Sequence, residues 1–200
     1  MNVIWRKIVI NKYIYGGIMG LLSALKKKKA QIDKMDEIFY LPEDIDKNDQ
    51  LWQLRTINDI IIAMCGRMTR KSEFGENMGA LSAEERVFYV VTDIYSQVNS
   101  MGFEHYYFDE AGRHAMEAAE ALRTIGADAR AEIVEKAMES IGGTLPEDDR
   151  ERANYVRHNF TDDMRNALME CDKQFRELDD DINRLLFVYI REYHYKFTEA

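Results

Sequence analysis

The chain has 200 residues, of which 46% are hydrophobic and 32% are charged, and its formal net charge at pH 7 is −9. A chain of this length buries a core without help from disulfides or metal ions, and this composition excludes wholesale disorder. Two cysteines are too few for a disulfide framework, and only two prolines leave room for long helices. We therefore expect a globular, cytoplasmic protein with reduced thiols.

The N-terminal segment differs from the rest of the chain. Residues 16–19 read Gly-Gly-Ile-Met, which resembles a translated ribosome-binding sequence ahead of a start codon. We therefore predict that residues 1–18 are an untranslated or disordered extension and that residues 19–34 form a lysine-rich segment. Our hypothesis is that translation starts at Met19, and Met1 stays open as the alternative start. The apolar residues before Leu25 are interrupted, whereas a membrane span needs about 20 mostly apolar residues. We predict no membrane span.

Residues 35–200 are predicted to form a single helical domain. From residue 51 onward, apolar residues recur at helical spacing, and no alternating strand pattern is found. The first stripe reaches Met68. Ser82-Ala-Glu-Glu85 is a capping box that begins the next helix, and Gly102 can adopt the left-handed conformation that ends it.

The second half carries four further apolar stripes. The first is a row of small residues, Ala111, Ala115, Ala118, Leu122 and Ile125, which predicts one helix that stops at Gly126. The next runs from 133 to 141, and Pro146 in the segment 144–147 predicts a helix start, since proline is tolerated in a first turn. Two more stripes cover 164–178 and 182–197. The sequence predicts an all-α fold, a compact non-repeating bundle of about seven to nine helices.

Acidic residues are concentrated in the second half. Residues 101–200 hold 23 acidic and 13 basic side chains, a net charge of −10, whereas residues 1–100 have a net charge of +1. Such a half repels nucleic acid and anionic membranes and attracts basic surfaces. We predict a basic protein as partner and no direct contact with nucleic acid.

Four of these acidic residues follow one stripe of a predicted helix. Like charges at this spacing cost about 0.2–0.5 kcal/mol per pair, so the fold gains nothing by aligning them. Three further clusters follow along the chain. The candidate partner-binding residues are Asp128, Glu132, Glu135 and Glu139; Glu147, Asp148, Asp149 and Glu151; Asp162 and Asp163; and Asp179, Asp180 and Asp181. The alternative is a merely solvated acidic face.

Catalytic motifs are absent from the sequence. It contains no glycine-rich phosphate loop, dinucleotide fingerprint or serine nucleophile elbow. Glu110, His114 and Glu117 share one predicted helix face and could hold a divalent ion, but metal sites need three or four converging ligands. A surface contact between His114 and a glutamate is the favoured interpretation. We predict no enzymatic activity, no cofactor and no metal.

The stretch from Val98 to Ala127 resembles the bacterial DNA-mimic protein family, an all-α domain largely of unknown function. Ser100-Met101 and Asp109 depart from the family pattern, which commonly has a glycine and an asparagine there. The resemblance covers residues 35–200 and is densest from 88 to 145. The residues that carry it are Asn99, Gly102, Phe103, Tyr106, Tyr107, Phe108, Gly112 and the run from Ala118 through Gly126 to Ala127.

The resemblance implies an acidic surface that copies duplex phosphates and occupies the DNA-binding face of a helix-turn-helix regulator, often from a homodimer. Asn99, Gly102, Phe103, Tyr107, Gly112 and Gly126 carry over as structural residues only. Assigning the acidic residues to partner binding is our own inference. Two alternatives stay open: an immunity-type or antitoxin-like inhibitor of a basic enzyme, and a metal-assisted hydrolase around Glu110, His114 and Glu117.

Overall fold

A computed structural model of the chain describes residues 41–46 and 48–197. The predictions for residues 1–18 and 19–34, and the start of the predicted domain at residue 35, lie outside the described residues. The chain divides into two units, Met1–Glu43 and Asp44–Ala200. All helices of the described residues belong to the second unit.

The described part of the second unit contains eight α-helices, four short 3-10 helices and no β-strand. The prediction of an all-α bundle of seven to nine helices is therefore confirmed. None of the described helices combines the length and apolar character needed to cross a bilayer. The α-helices are α1 (Ile57–Lys71), α2 (Ala83–Met101), α3 (Phe103–Phe108), α4 (Ala118–Thr124), α5 (Asp128–Ser140), α6 (Asp149–Asn159), α7 (Asp162–Glu177) and α8 (Ile182–Glu192). The 3-10 helices are Gln50–Gln53, Met78–Ala80, Glu110–His114 and His194–Lys196.

Helix α2 lies at the centre of the bundle, where it contacts α1, α3, α4 and α7. It begins at the predicted capping box: the Glu85 amide donates to the Ser82 hydroxyl, and the Glu85 carboxylate accepts from the Ser82 amide. Its side chains Phe88, Val91 and Ile94 have no solvent exposure. Burying a side chain of this size contributes about 1.5–3 kcal/mol. This central helix supplies one wall of the core against which its neighbours pack.

The predicted single helix from residue 111 to residue 125 is wrong. The chain forms the 3-10 helix Glu110–His114, then a turn, and then α4. The cause lies elsewhere in the chain: the buried Arg152 guanidinium donates to the carbonyls of Asp109 and Glu110, at 2.9 and 3.5 Å. The small residues of the predicted stripe are nevertheless buried, as expected.

The predicted helix start at 144–147 is also wrong, because α6 begins at Asp149. Arg152 donates to the Glu147 carbonyl at 2.9 Å, and this contact keeps the preceding segment out of the helix. Asp148 is the actual N-cap and accepts a hydrogen bond from the Glu151 amide at 2.9 Å. The Asp148 carboxylate thereby satisfies a backbone amide in the first turn of α6 that has no partner within the helix.

Two glycines shape the segment from Gly102 to Gly112, which we call the aromatic corner because it carries Phe103, Tyr106, Tyr107 and Phe108. Gly102 has φ +89°, and a side chain there would collide with the Asp172 carboxylate, which accepts from the Phe103 amide at 2.7 Å. A Cβ at Gly112 would lie 2.6 Å from the Tyr106 carbonyl and 2.9 Å from Nε of Arg152.

The corner's aromatic rings fill the core around these glycines. Phe103, Tyr106 and Tyr107 are at most 1% exposed, and Phe103 packs edge-on against Phe175 with centroids 5.6 Å apart. Asn99 binds locally, since its side-chain amide donates to the Tyr95 carbonyl. The buried rings and this local hydrogen bond agree with a structural role for the aromatic corner.

Replacing Gly112 by alanine is expected to lower the free energy of unfolding by about 1–3 kcal/mol, because the new methyl group overpacks backbone oxygen and the Arg152 guanidinium. Gly66→Ala is the matched control. Gly66 lies inside α1, its added Cβ meets only an Arg70 side-chain atom at 3.4 Å, and alanine should raise stability there by about 0.5–1 kcal/mol. Urea denaturation of both variants measures the difference. Equal stabilities would contradict the role given to Gly112.

Candidate functional site

The acidic stripe predicted from the sequence lies on helix α5. We call Asp128, Glu132, Glu135 and Glu139 the α5 acidic stripe. Asp128, Glu132 and Glu139 are exposed, whereas Glu135 accepts a hydrogen bond from Arg123 at 2.5 Å. This bond from Arg123 lowers the pKa of Glu135. Three of the four carboxylates therefore face solvent with no hydrogen bond or ion pair to a described residue.

Eight of the thirteen candidate acidic residues share this condition. Each is exposed, and none has a side-chain hydrogen bond or an ion pair with the part of the chain that the structure describes. They are Asp128, Glu132, Glu139, Glu147, Glu151, Asp162, Asp163 and Asp179.

Two of the remaining candidates cap helices, and a third is an internal counter-ion. Asp148 caps α6, and Asp181 caps α8 by accepting from the Arg184 amide at 3.0 Å. Asp149 binds the guanidinium groups of Arg113 and Arg152. The hydrogen bond from Arg113, with a smaller contribution from Arg152, holds the pKa of Asp149 below its ordinary value.

A second buried arginine brings two of the acidic segments together. Arg130 of α5 is 2% exposed and lies between the rings of Tyr95 and Phe175, at 5.1 and 4.6 Å from their centroids. It also forms an ion pair with Asp180 at 2.6 Å, just beyond the end of α7. This contact brings the segment that carries Asp179 to the same end of α5 as Asp128.

Two of the other exposed carboxylates, Asp162 and Asp163, lie far from that end. Asp162 and Asp163 begin α7, whose 16 residues correspond to about 24 Å at 1.5 Å per residue. They therefore lie at the opposite end of α7 from Asp179. Glu147 and Glu151 lie at the start of α6, and Asp162 follows its end. The thirteen candidates do not form one cluster.

The hypothetical metal site is not assembled. No group of three or more His, Cys, Asp or Glu side chains within the described ranges could hold a metal ion. His114 is buried, with Nδ1 3.0 Å from a Glu117 oxygen, and Glu117 also binds Arg86 through both carboxylate oxygens. Burial raises the pKa of Glu117, but the bonds to His114 and Arg86 outweigh burial and lower it to about 2.

Sequence reasoning missed one carboxylate, that of Asp93 on α2. Burial, reinforced by the charge of Asp109 and opposed by His114, raises the pKa of Asp93 to about 6. Asp93 has no hydrogen bond or ion pair with a described residue, and it lines a cavity of about 170 Å³. A signal was present in the sequence: Tyr89, Asp93 and Gln97 are spaced at i, i+4 and i+8, which places three polar side chains on one side of α2.

Asp93 should therefore reduce stability above pH 6. Its pKa is higher in the folded state than in the unfolded state, so stability falls as pH rises from about 4 to 6 and stays reduced above that range. Asp93→Asn should raise the free energy of unfolding by about 2–3 kcal/mol at pH 7.5 and have no effect at pH 3.5. Urea denaturation at both pH values measures this. Glu139→Gln, at an exposed residue, is the control and should leave stability within about 0.5 kcal/mol at either pH. A pH-independent effect of Asp93→Asn would contradict the assignment.

Comparison with known proteins identifies the family. No curated protein and no solved structure matches the chain. A family model described as DMP19-like protein, where the letters stand for DNA mimic protein, matches residues 79–193. The match extends from the 3-10 helix before α2 to the end of α8, so it includes the aromatic corner, the buried arginines and the α5 acidic stripe. The chain belongs to the DMP19-like protein family.

Proposed function

We propose that this protein is a non-enzymatic DNA mimic whose exposed carboxylates occupy the DNA-binding face of a basic transcription regulator. The observation that carries the proposal is the α5 acidic stripe in a chain of the DMP19-like family. Asp128, Glu132 and Glu139 stand on one side of a helix, exposed and without a side-chain hydrogen bond or ion pair among the described residues. The family gives the class of function, and the stripe gives the surface.

The geometry of the stripe suits a basic groove-binding element. From Asp128 to Glu139 the helix rises about 16 Å, and Asp179 extends the acidic surface at the Asp128 end. Lysine and arginine side chains that normally reach phosphates can reach carboxylates in such a row. Their attraction would steer association and would weaken steeply with salt, as binding to DNA does. The proposal includes a cytoplasmic location and, as the resemblance implies, a homodimer.

A charge-matched pair of variants tests the surface. The α5 variant combines Asp128→Asn, Glu132→Gln and Glu139→Gln, and the control variant combines Glu147→Gln, Asp162→Asn and Asp163→Asn. Both remove three exposed carboxylates. The α5 variant alters one acidic residue in the first turn of a helix, and the control variant alters two. Each protein is immobilised, exposed to lysate at low salt and eluted with duplex DNA.

The wild-type protein and the control variant should retain a DNA-binding protein that duplex DNA displaces. The amount retained by the α5 variant should be lower by about tenfold or more. If the bound protein is a basic enzyme that duplex DNA does not displace, the inhibitor alternative replaces mimicry. If both variants lose binding equally, net charge rather than the α5 acidic stripe carries the interaction.

A further inference from the structure

A polar cavity lies apart from the α5 acidic stripe. It has a volume of about 170 Å³ and is bounded by three segments that are distant in sequence: the loop after α1, the middle of α2 and the 3-10 helix Glu110–His114. Tyr89, Asp93 and Gln97 of α2 line one side. We call it the Asp93 cavity.

Negative charge dominates the lining of the Asp93 cavity. Asp93, Asp109 and Glu110 contribute carboxylates, and Asp93 has no hydrogen bond or ion pair within the described ranges. Among the described residues, the Asp109 carboxylate accepts a hydrogen bond only from the Glu110 amide, at 2.8 Å, and it lies 4.0 Å from Nδ1 of His105.

The two basic groups of the lining are already bound to other partners. The Arg113 guanidinium binds Asp149, Glu76 and the Gly75 carbonyl. The Nδ1 atom of His114 faces Glu117. The cavity therefore presents surplus negative charge to any molecule that enters it.

Two aromatic side chains complete the site. Tyr89 forms part of the wall, and Phe74 lines the cavity although it is 77% exposed. Phe74 and Glu73 have φ of 61° and 52°, the left-handed region that non-glycine residues seldom adopt. An exposed phenylalanine on such a backbone is a feature that recurs at binding sites.

The loop that carries Phe74 is held firmly in place. The Phe74 amide donates to the Thr69 carbonyl at 2.8 Å. Gly75 packs so closely on Tyr89 that a Cβ there would lie 2.8 Å from the tyrosine hydroxyl, and Arg113 donates to the Gly75 carbonyl at 3.2 Å. Phe74 is therefore presented at a fixed position beside the cavity.

The lining selects one class of occupant. Three carboxylates disfavour an anion, and the polar wall disfavours an apolar ligand. A metal ion lacks its ligand set, since no group of metal-binding side chains exists in the described segments. An organic cation fits the charge. Between the two cationic side chains, a guanidinium is the less strongly hydrated, is planar and stacks on aromatic rings, whereas an ammonium is a compact, strongly hydrated point charge.

We propose that the Asp93 cavity binds the guanidinium group of an arginine from a basic partner, with Asp93 as the acceptor and Tyr89 and Phe74 as the aromatic contacts. The identity of the arginine's source rests on the proposed function, but the chemistry of the cavity does not. A bound guanidinium supplies the direct ion pair that this half-buried carboxylate lacks among the described residues.

A second buried polar group close to Asp93 supports the assignment. The Tyr106 hydroxyl has no hydrogen-bond partner among the described residues. Burial, followed by the neighbouring Asp93 charge, raises the pKa of Tyr106 well above its ordinary range. Asp93 thus lies near a second buried polar group that is itself unpaired, in a low-dielectric setting where an entering cation gains most.

The experiment uses the full chain and small probes. Ethylguanidinium is titrated at pH 7.5 while amide NMR shifts are followed, and ethylurea serves as the neutral probe of similar shape. Shifts should concentrate at Tyr89, Gln97 and Ala111 for ethylguanidinium only. Asp93→Asn should weaken the affinity about fivefold or more, whereas Glu177→Gln, at an exposed residue of α7 outside both the cavity and the α5 acidic stripe, should not change it. At pH 5, where Asp93 is mostly protonated, the wild-type affinity should also fall.

Two results would overturn the proposal: shifts spread over all exposed carboxylates, or an affinity that Asp93→Asn leaves unchanged. Neither result depends on lysate capture. Guanidinium binding without a DNA-displaceable partner would uphold the cavity and reject mimicry. A DNA-displaceable partner without guanidinium binding would reject the cavity and uphold mimicry.

Discussion

The aromatic corner and the helices beside it depend on one buried guanidinium, that of Arg152. It has no solvent exposure and donates to the carbonyls of Asp109 and Glu147 at 2.9 Å, while Asp149 supplies the counter-charge. An arginine buried without such partners would cost several kcal/mol, so these oxygens are committed to it. The chain consequently forms a short 3-10 helix on one side and a carboxylate-capped helix on the other. Gly112 is part of the same arrangement, because a side chain at this position would leave no room for the Arg152 guanidinium.

Buried arginines also decide how much of the acidity is available to a partner. Arg152 uses Asp149, and Arg130 uses Asp180 while it stacks between two aromatic rings. The number of acidic residues in the second half therefore overstates how many carboxylates are available to a partner. The exposed carboxylates that remain fall into separate groups, of which the row on α5 is the most regular. The family match makes that row the natural candidate for imitating a strand of phosphates.

The two proposed surfaces would perform different tasks in one complex. A row of exposed carboxylates acts at long range, raises the association rate and discriminates little between basic partners. A half-buried carboxylate beside an exposed aromatic ring acts at contact, where a single anchored side chain often carries much of the affinity. The raised pKa of Asp93 predicts a loss of stability at neutral pH, and such a cost is characteristic of sites kept for binding rather than for folding. Steering by α5 and anchoring at Asp93 together would combine speed with specificity.

The sequence alone determined the all-α class, the family and the helices whose signals are local. The capping box at Ser82 and the apolar stripes of α2, α7 and α8 depend on neighbours three or four residues away, so periodicity was sufficient to find them. Tertiary structure decided where helices break around Arg152, because that side chain reaches carbonyls more than forty residues earlier in the chain. It also decided that Asp149 is a counter-ion whereas Glu151 is exposed, although the two are nearly equivalent in sequence. The Asp93 cavity belongs to the same category: its walls come from three separate segments, and burial and charge at a point in space follow from packing rather than from sequence order.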